Sequence, residues 1–136
     1  MTDKELIEKA KEAAKNAYVP YSGYTVGAAL LTEDGKVYLG CNIENASYTP
    51  TNCAERTAFF KAVSEGEREF AKIAVVGGKA LDFADYCTPC GVCRQVMSEF
   101  CGDDFVIYMG SNDGYTALTM AQILPAGFKA SEHMKL

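Results

Sequence analysis

No stretch of this chain is apolar for anything near the ~20 residues that a membrane-spanning helix requires. The segment Met1 to Lys15 is charged throughout and has no apolar signal core, so the chain is expected to stay in the cytoplasm. Basic residues are in the minority, 13 Lys and Arg against 18 Asp and Glu for a net charge of −5. Without a basic run there is little to supply the phosphate neutralisation that drives non-specific nucleic-acid binding. Neither a membrane nor a nucleic acid is therefore expected as a partner; a small, weakly charged molecule is. Histidine is nearly absent. The single one, His133 near the C-terminus, is expected to be a solvated tail residue, which argues against a His-dependent catalytic triad or a His-rich metal site.

What the chain does contain suits one domain over residues 1–136. Apolar residues make up 49% and charged residues 23%, a balance that lets a chain of this size bury about two thirds of its unfolded surface without disulfides. The six cysteines would remain thiols in a reducing compartment, so any cluster among them reads first as metal ligands.

The capping-box spacing of Thr2-Asp3-Lys4-Glu5 is followed by Leu6, Ile7, Ala10, Ala13, Ala14 and Ala17 at helical intervals, which predicts a helix reaching Tyr18 and ended by Pro20. Val26 to Thr32 reads as a buried strand, Asp34-Gly35 as a hairpin turn, and Lys36 to Asn42 as the returning strand. Cys53 to Val63 is helical and closed by Gly66, Phe70 to Val76 is a strand, and Gly77 to Thr88 is a loop. A helix from Gly91 to Phe100 opens behind Pro89; a strand from Phe105 to Met109, a turn at Asn112-Asp113-Gly114, a short strand over Tyr115 to Leu118 and a helical turn or two within Thr119 to Leu124 complete the chain. Strands alternating with helices in the second half define an α/β protein, a three-layer α/β/α sandwich on a mixed five-stranded sheet.

Two segments carry chemistry, Cys53-Ala54-Glu55 and Pro89-Cys90-Gly91-Val92-Cys93, each at the start of a predicted helix. Cys90 and Cys93 share one face of a first helical turn and can reach one metal ion at Zn–S distances of about 2.3 Å. A third thiolate from Cys53 leaves a tetrahedral zinc with one open position, which holds water. Three thiolates leave a formal negative charge that works against acidifying that water. The two helix N-termini and the guanidinium of Arg56 are the positive groups available to offset it. Glu55 is the carboxylate placed to move protons. Positions two apart do not share a helix face, so both side chains meet one cavity only if Cys53 sits at the helix cap. Together the two segments match the signature of zinc deaminases. The alternative makes Cys87 a fourth ligand that closes a structural zinc module, and Cys41 and Cys101 read as small core residues.

The chain resembles the short, homotetrameric cytidine deaminases of pyrimidine salvage. The resemblance rests on Pro20-Tyr21-Ser22, Val26-Gly27-Ala28-Ala29, Asn42-Ile43-Glu44-Asn45-Ala46, Cys53-Ala54-Glu55-Arg56-Thr57-Ala58 and Pro89-Cys90-Gly91-Val92-Cys93-Arg94-Gln95. It implies one zinc per subunit on Cys53, Cys90 and Cys93, with Glu55 as proton shuttle and Arg56 as partner of the ligand sulfurs. It implies that Asn42 and Glu44 bind the ribose, that Tyr24 stacks on the pyrimidine where phenylalanine is more usual, and that Ala54 belongs to the substrate-binding set. Tyr48 and Phe128 match aromatics that family tetramers lend to a neighbour's pocket. The implied reaction is hydrolytic deamination of cytidine or 2′-deoxycytidine; a backbone carbonyl near the second cysteine pair, at Thr88 or Pro89, is expected to accept a hydrogen bond from the departing amino group. A deaminase of a nucleoside analogue or of a polynucleotide shares the metal motif and stands as the alternative enzyme.

Overall fold

The structure, a computed structural model, describes residues 1–134, and of Ser131 and His133 only the backbone; the expectation for the His133 side chain lies outside the described residues. Helix α1 (Asp3–Ala14) leads to a hairpin of β1 (Tyr24–Thr32) and β2 (Val37–Cys41), then to α2 (Ala54–Ser64), β3 (Phe70–Lys79), α3 (Gly91–Phe100), β4 (Val106–Gly110), β5 (Tyr115–Thr119) and the short helices α4 (Met120–Ile123) and α5 (Ala130–His133). The strands form one sheet in the order β2-β1-β3-β4-β5. Within it the β3–β4 pair is parallel and the other pairs are antiparallel. This is the mixed five-stranded sheet of an α/β/α sandwich.

Two apolar clusters fill the two faces of the sheet. Leu6, Ile7, Ala10 and Ala14 of α1 pack on Ala29, Ala74, Val76 and Phe83. On the other side Ala54, Ala58 and Phe59 of α2 and Cys93 and Met97 of α3 pack on Ala28, Leu30, Ile73, Val75, Ile107 and Met109. Successive strand residues point to opposite faces, and because both faces are covered the central strands read as unbroken apolar runs.

Glycines set how closely the helices approach. A Cβ on Gly27 would run into the Ala10 carbonyl oxygen, and one on Gly40 would run into the Ala54 carbonyl oxygen and lie 2.6 Å from the Ala58 nitrogen. The backbone of α1 therefore rests on β1, and that of α2 on β2, at distances only glycine permits.

Three expectations are corrected. The first helix ends at Ala14 rather than Tyr18, and Pro20 is not its terminator. The Tyr18 N–H instead donates to the Asn42 carbonyl at 3.0 Å, and its carbonyl accepts from the Glu44 N–H at 2.8 Å, so a tertiary bridge takes the place of the last helical turn. β3 extends to Lys79, because Gly77 and Gly78 pair with Val26 and Thr25. Gly78 there passes so close to Asp82 that a Cβ would collide with its carbonyl oxygen. Helix α5 is the third difference, a short element for which the sequence carries no signal.

Candidate active site

The two cysteine-bearing segments meet at the N-termini of α2 and α3. Cys53 is the N-cap of α2, with φ −78° and ψ 158°, and Cys90 is the N-cap of α3, with φ −68° and ψ 168°; neither side chain makes a capping hydrogen bond. Both thiols are thus left free to face the space between the helices. Cys93 joins them from the first turn of α3, fully buried. The cap at Cys53 is fixed from within α2, whose Thr57 donates to the Cys53 carbonyl from both its N–H and its hydroxyl at 3.0 Å.

The three sulfurs lie within 4.8 Å of one another and form a group that can hold a metal ion. Cys53 and Cys90 are 3.7 Å apart, against the roughly 3.8 Å between two sulfurs at tetrahedral corners when Zn–S is about 2.3 Å. The donor set also suits zinc, for which soft thiolates are favoured ligands. Cys87 is not part of the group, so the closed four-sulfur module has no support.

Charge is arranged around the cluster. The Arg56 guanidinium donates from Nη2 to the Cys53 sulfur at 3.3 Å. A hydrogen bond from the Cys93 thiol, helped by Arg56 and opposed by burial, brings Cys53 down to about 5. Cys93, the donor in that bond, is pushed well up. Glu55 is only 3% exposed. Burial raises its carboxyl to about 7, with backbone hydrogen bonding pulling the other way. A carboxyl poised there can both take and return a proton near neutral pH.

Asn42 and Glu44 sit just beyond β2, and both turn toward residues 21–26. Asn42 Oδ1 accepts the Val26 N–H at 2.9 Å while its Nδ2 donates to the Tyr24 carbonyl at 2.8 Å. Glu44 Oε1 accepts the N–H groups of Tyr21 and Ser22, at 3.0 and 3.2 Å. The Ser22 hydroxyl bonded to Glu44 is the main cause holding its carboxyl below the usual range. The hydroxyl of Tyr24 finds a partner in the Cys87 thiol; burial first, then Cys87, pushes it up to about 12. Cys87, itself pushed up to about 11 by burial and next by the charge of Glu55, packs with Tyr24 over Gly77.

Tyr48 and Phe128 lie in two different clefts. Tyr48, 72% exposed and at φ 63°, meets Tyr21 edge-on at 6.2 Å; the two rings, with Ser22, Glu44 and Thr51, line a cleft of about 350 Å³. Phe128, 56% exposed, lines a different cleft with Cys101 and Lys129. Of the two carbonyls considered for the departing amino group, that of Pro89 already accepts from Arg94 Nε at 2.7 Å. Arg94 also donates to the Ile123 carbonyl at 2.8 Å, bracing α3 against α4. Sequence reasoning assigns no role to Ser22, Arg94 or Gly40; of these only Gly40, a glycine inside a strand, has a legible signal of close approach.

Two helix-capping thiols and a third from the first turn of α3, grouped so that they can hold a metal ion, with a buried carboxyl beside them, define a zinc-dependent hydrolase built on an α/β/α sandwich. The family is narrower than that class. Residues 1–109 match the model of the family described as cytidine and deoxycytidylate deaminase zinc-binding region, and the chain belongs to that family. It is 50% identical over 133 residues to a cytidine deaminase of Sporosarcina psychrophila, covering 97% of this chain and 95% of the relative. It is 52% identical over 128 residues to one of Halalkalibacterium halodurans, covering 93% and 94%. The crystal structure of cytidine deaminase from Burkholderia pseudomallei superposes with a TM-score of 0.87 at 47% identity, over 94% of this chain and all of the other. No helix among the described residues is long and apolar enough to cross a membrane.

Proposed function

We propose that the chain, acting as one domain over residues 1–136, catalyses the hydrolytic deamination of cytidine and 2′-deoxycytidine to the uridine products and ammonia. The observation that carries this reading is the buried Glu55 carboxyl beside the three-sulfur group at the two helix N-termini. Cys53, Cys90 and Cys93 would hold the zinc, which when bound would supply the Lewis acidity that makes water a competent nucleophile at neutral pH. Glu55 takes a proton from the attacking water and passes it to ring N3, which makes C4 electrophilic. It then carries the second proton to the amino group, which leaves as ammonia while the C4 carbonyl forms. Arg56 draws charge from Cys53 and so keeps the thiolates from weakening that acidity.

Substrate is held away from the reacting atoms by Asn42 and Glu44, which take the sugar hydroxyls, and by the Tyr24 ring, which stacks on the base. Ala54, at the first position of α2 between Cys53 and Glu55, is fully buried, and its place in the substrate-binding set is the wall behind these two residues. A backbone carbonyl near the second cysteine pair, that of Thr88 or the second acceptor position of Pro89, whose first is taken by Arg94, is assigned to the departing amino group. The exposed rings of Tyr48 and Phe128 fit a homotetramer in which each chain completes a neighbour's pocket. A cytoplasmic role in pyrimidine salvage follows from this substrate.

The test is an ultraviolet assay of cytidine loss with the purified chain, run beside a chelator and with zinc restored. Turnover that disappears on chelation and returns with zinc is the expected result. A chain that turns over single-stranded oligonucleotide faster than free cytidine would overturn the reading.

A further inference from the structure

The segment leading into β1 contains a hydroxyl whose bonding is fixed in direction. Ser22 Oγ lies 2.5 Å from Glu44 Oε2 and 3.0 Å from the Tyr24 backbone nitrogen. The amide can only donate and the carboxylate can only accept, so the single hydroxyl proton points to Glu44 while the oxygen receives the Tyr24 N–H. Glu44 Oε1 is occupied by the two N–H groups of Tyr21 and Ser22. Each carboxylate oxygen has about two acceptor positions, so Oε1 is filled and Oε2, with Ser22 on one side, keeps one position open. Beyond Ser22 the network continues through Tyr24, whose carbonyl accepts from Asn42. One hydroxyl therefore ties together the two polar groups assigned to the sugar and the aromatic residue assigned to the base.

We propose that Ser22 is a positioning residue for the nucleoside: its hydroxyl aims the open acceptor of Glu44 Oε2 into the cleft and holds it in register with Tyr24. The inference rests on the reading that Glu44 receives a sugar hydroxyl. Ser22 also lowers the Glu44 carboxyl, which keeps it an acceptor when substrate arrives. The competing view is that Ser22 only closes a local turn, since a serine bonding the N–H two residues on is a common turn device. That view ties Ser22 to stability and not to substrate.

The experiment is steady-state kinetics on cytidine with the zinc-loaded Ser22→Ala, Ser22→Thr, Glu44→Ala and Ser22→Ala/Glu44→Ala proteins, alongside their urea midpoints. Ser22→Ala is expected to raise KM about tenfold, the scale of one hydrogen bond to a charged group, with a much smaller change in kcat. Ser22→Thr, which keeps the hydroxyl, restores KM to near the parent value. In the Glu44→Ala background the further Ser22→Ala change adds nothing, because the group through which Ser22 acts is gone. Three results overturn the proposal: a parent-like KM in Ser22→Ala, a fall in kcat with KM unmoved, or equal KM effects with and without Glu44. A parent-like KM in Glu44→Ala is a different failure, since it removes the sugar role of Glu44 on which the proposal stands. If Ser22→Ala proves too unstable to assay, Ser22→Cys decides, as a similarly shaped but weaker donor. An intermediate KM supports the proposal and a parent KM overturns it.

Discussion

Arg56 donates to the sulfur of Cys53 from three residues further along the same helix, at 3.3 Å. The contact places a permanent positive charge against a thiol already held well below its usual range. Removing it leaves three negative sulfurs facing one dication with only helix ends to offset them. Arg56→Gln is expected to lower kcat about 10- to 100-fold, the usual cost of losing a group that orients or balances a metal ligand. Zinc analysis after dialysis, paired with turnover on cytidine, checks it. A variant with parent kcat and parent pH profile would remove Arg56 from the chemistry.

Gly40 carries a second prediction, because it sets the seat of α2. A methyl group there meets the Ala54 carbonyl and the Ala58 nitrogen, which are backbone atoms that cannot rotate away. Gly40→Ala is expected to cost about 1–3 kcal/mol, as overpacking does, and to displace the segment holding Cys53, Ala54 and Glu55. Gly27→Ala makes the corresponding clash with α1 on the opposite face. Both variants should melt earlier than the parent. Only Gly40→Ala should lose activity beyond what its stability explains, as seen by kcat at a temperature where both remain folded.

Much of this arrangement is readable in one dimension. The capping box at Thr2 and Glu5, the Gly35 turn at φ 92° and the Gly66 helix end at φ 100° are local signals, and each forms where its residues predict it. The cysteine spacing likewise brings the three thiols together, because the two N-caps point side chains out of helical register. What fails is decided between distant segments. The sequence pattern does not mark the end of α1 at Ala14, where the chain tightens into i→i−3 turns at Lys15, Asn16 and Ala17 and then pairs Tyr18 with Asn42 and Glu44. The bond of Ser22 to the Tyr24 N–H is local, but its bond to a carboxylate 22 residues further along is not readable from the sequence.

Tyr24 tests how the base is held. Its ring is the surface assigned to the pyrimidine, and its hydroxyl is matched to Cys87 rather than to substrate. Tyr24→Phe keeps the π-face and is expected to change KM for cytidine by less than about threefold, whereas Tyr24→Ala loses stacking worth about 1–3 kcal/mol per base and should raise KM tenfold or more. Equal KM values for the alanine variant and the parent would place the base elsewhere.

Glu55 separates function from stability most sharply. Its side chain is almost wholly enclosed, and the same burial that lifts its carboxyl to about 7 penalises the charged form. Glutamine has the same shape and no charge, so Glu55→Gln relieves that penalty while removing the group proposed to carry protons between water, ring N3 and the leaving amine. The expected protein melts no lower than the parent and keeps its zinc, yet loses about 10²- to 10⁴-fold in kcat, the range for a general acid–base catalyst. KM for cytidine should move far less than kcat, since Asn42, Glu44 and Tyr24, the residues proposed for the sugar and base, are not altered. Metal analysis, thermal melting and turnover on one preparation check all three statements together. A variant that loses zinc along with activity would instead make Glu55 a support of the metal, with the proton steps assigned to another group.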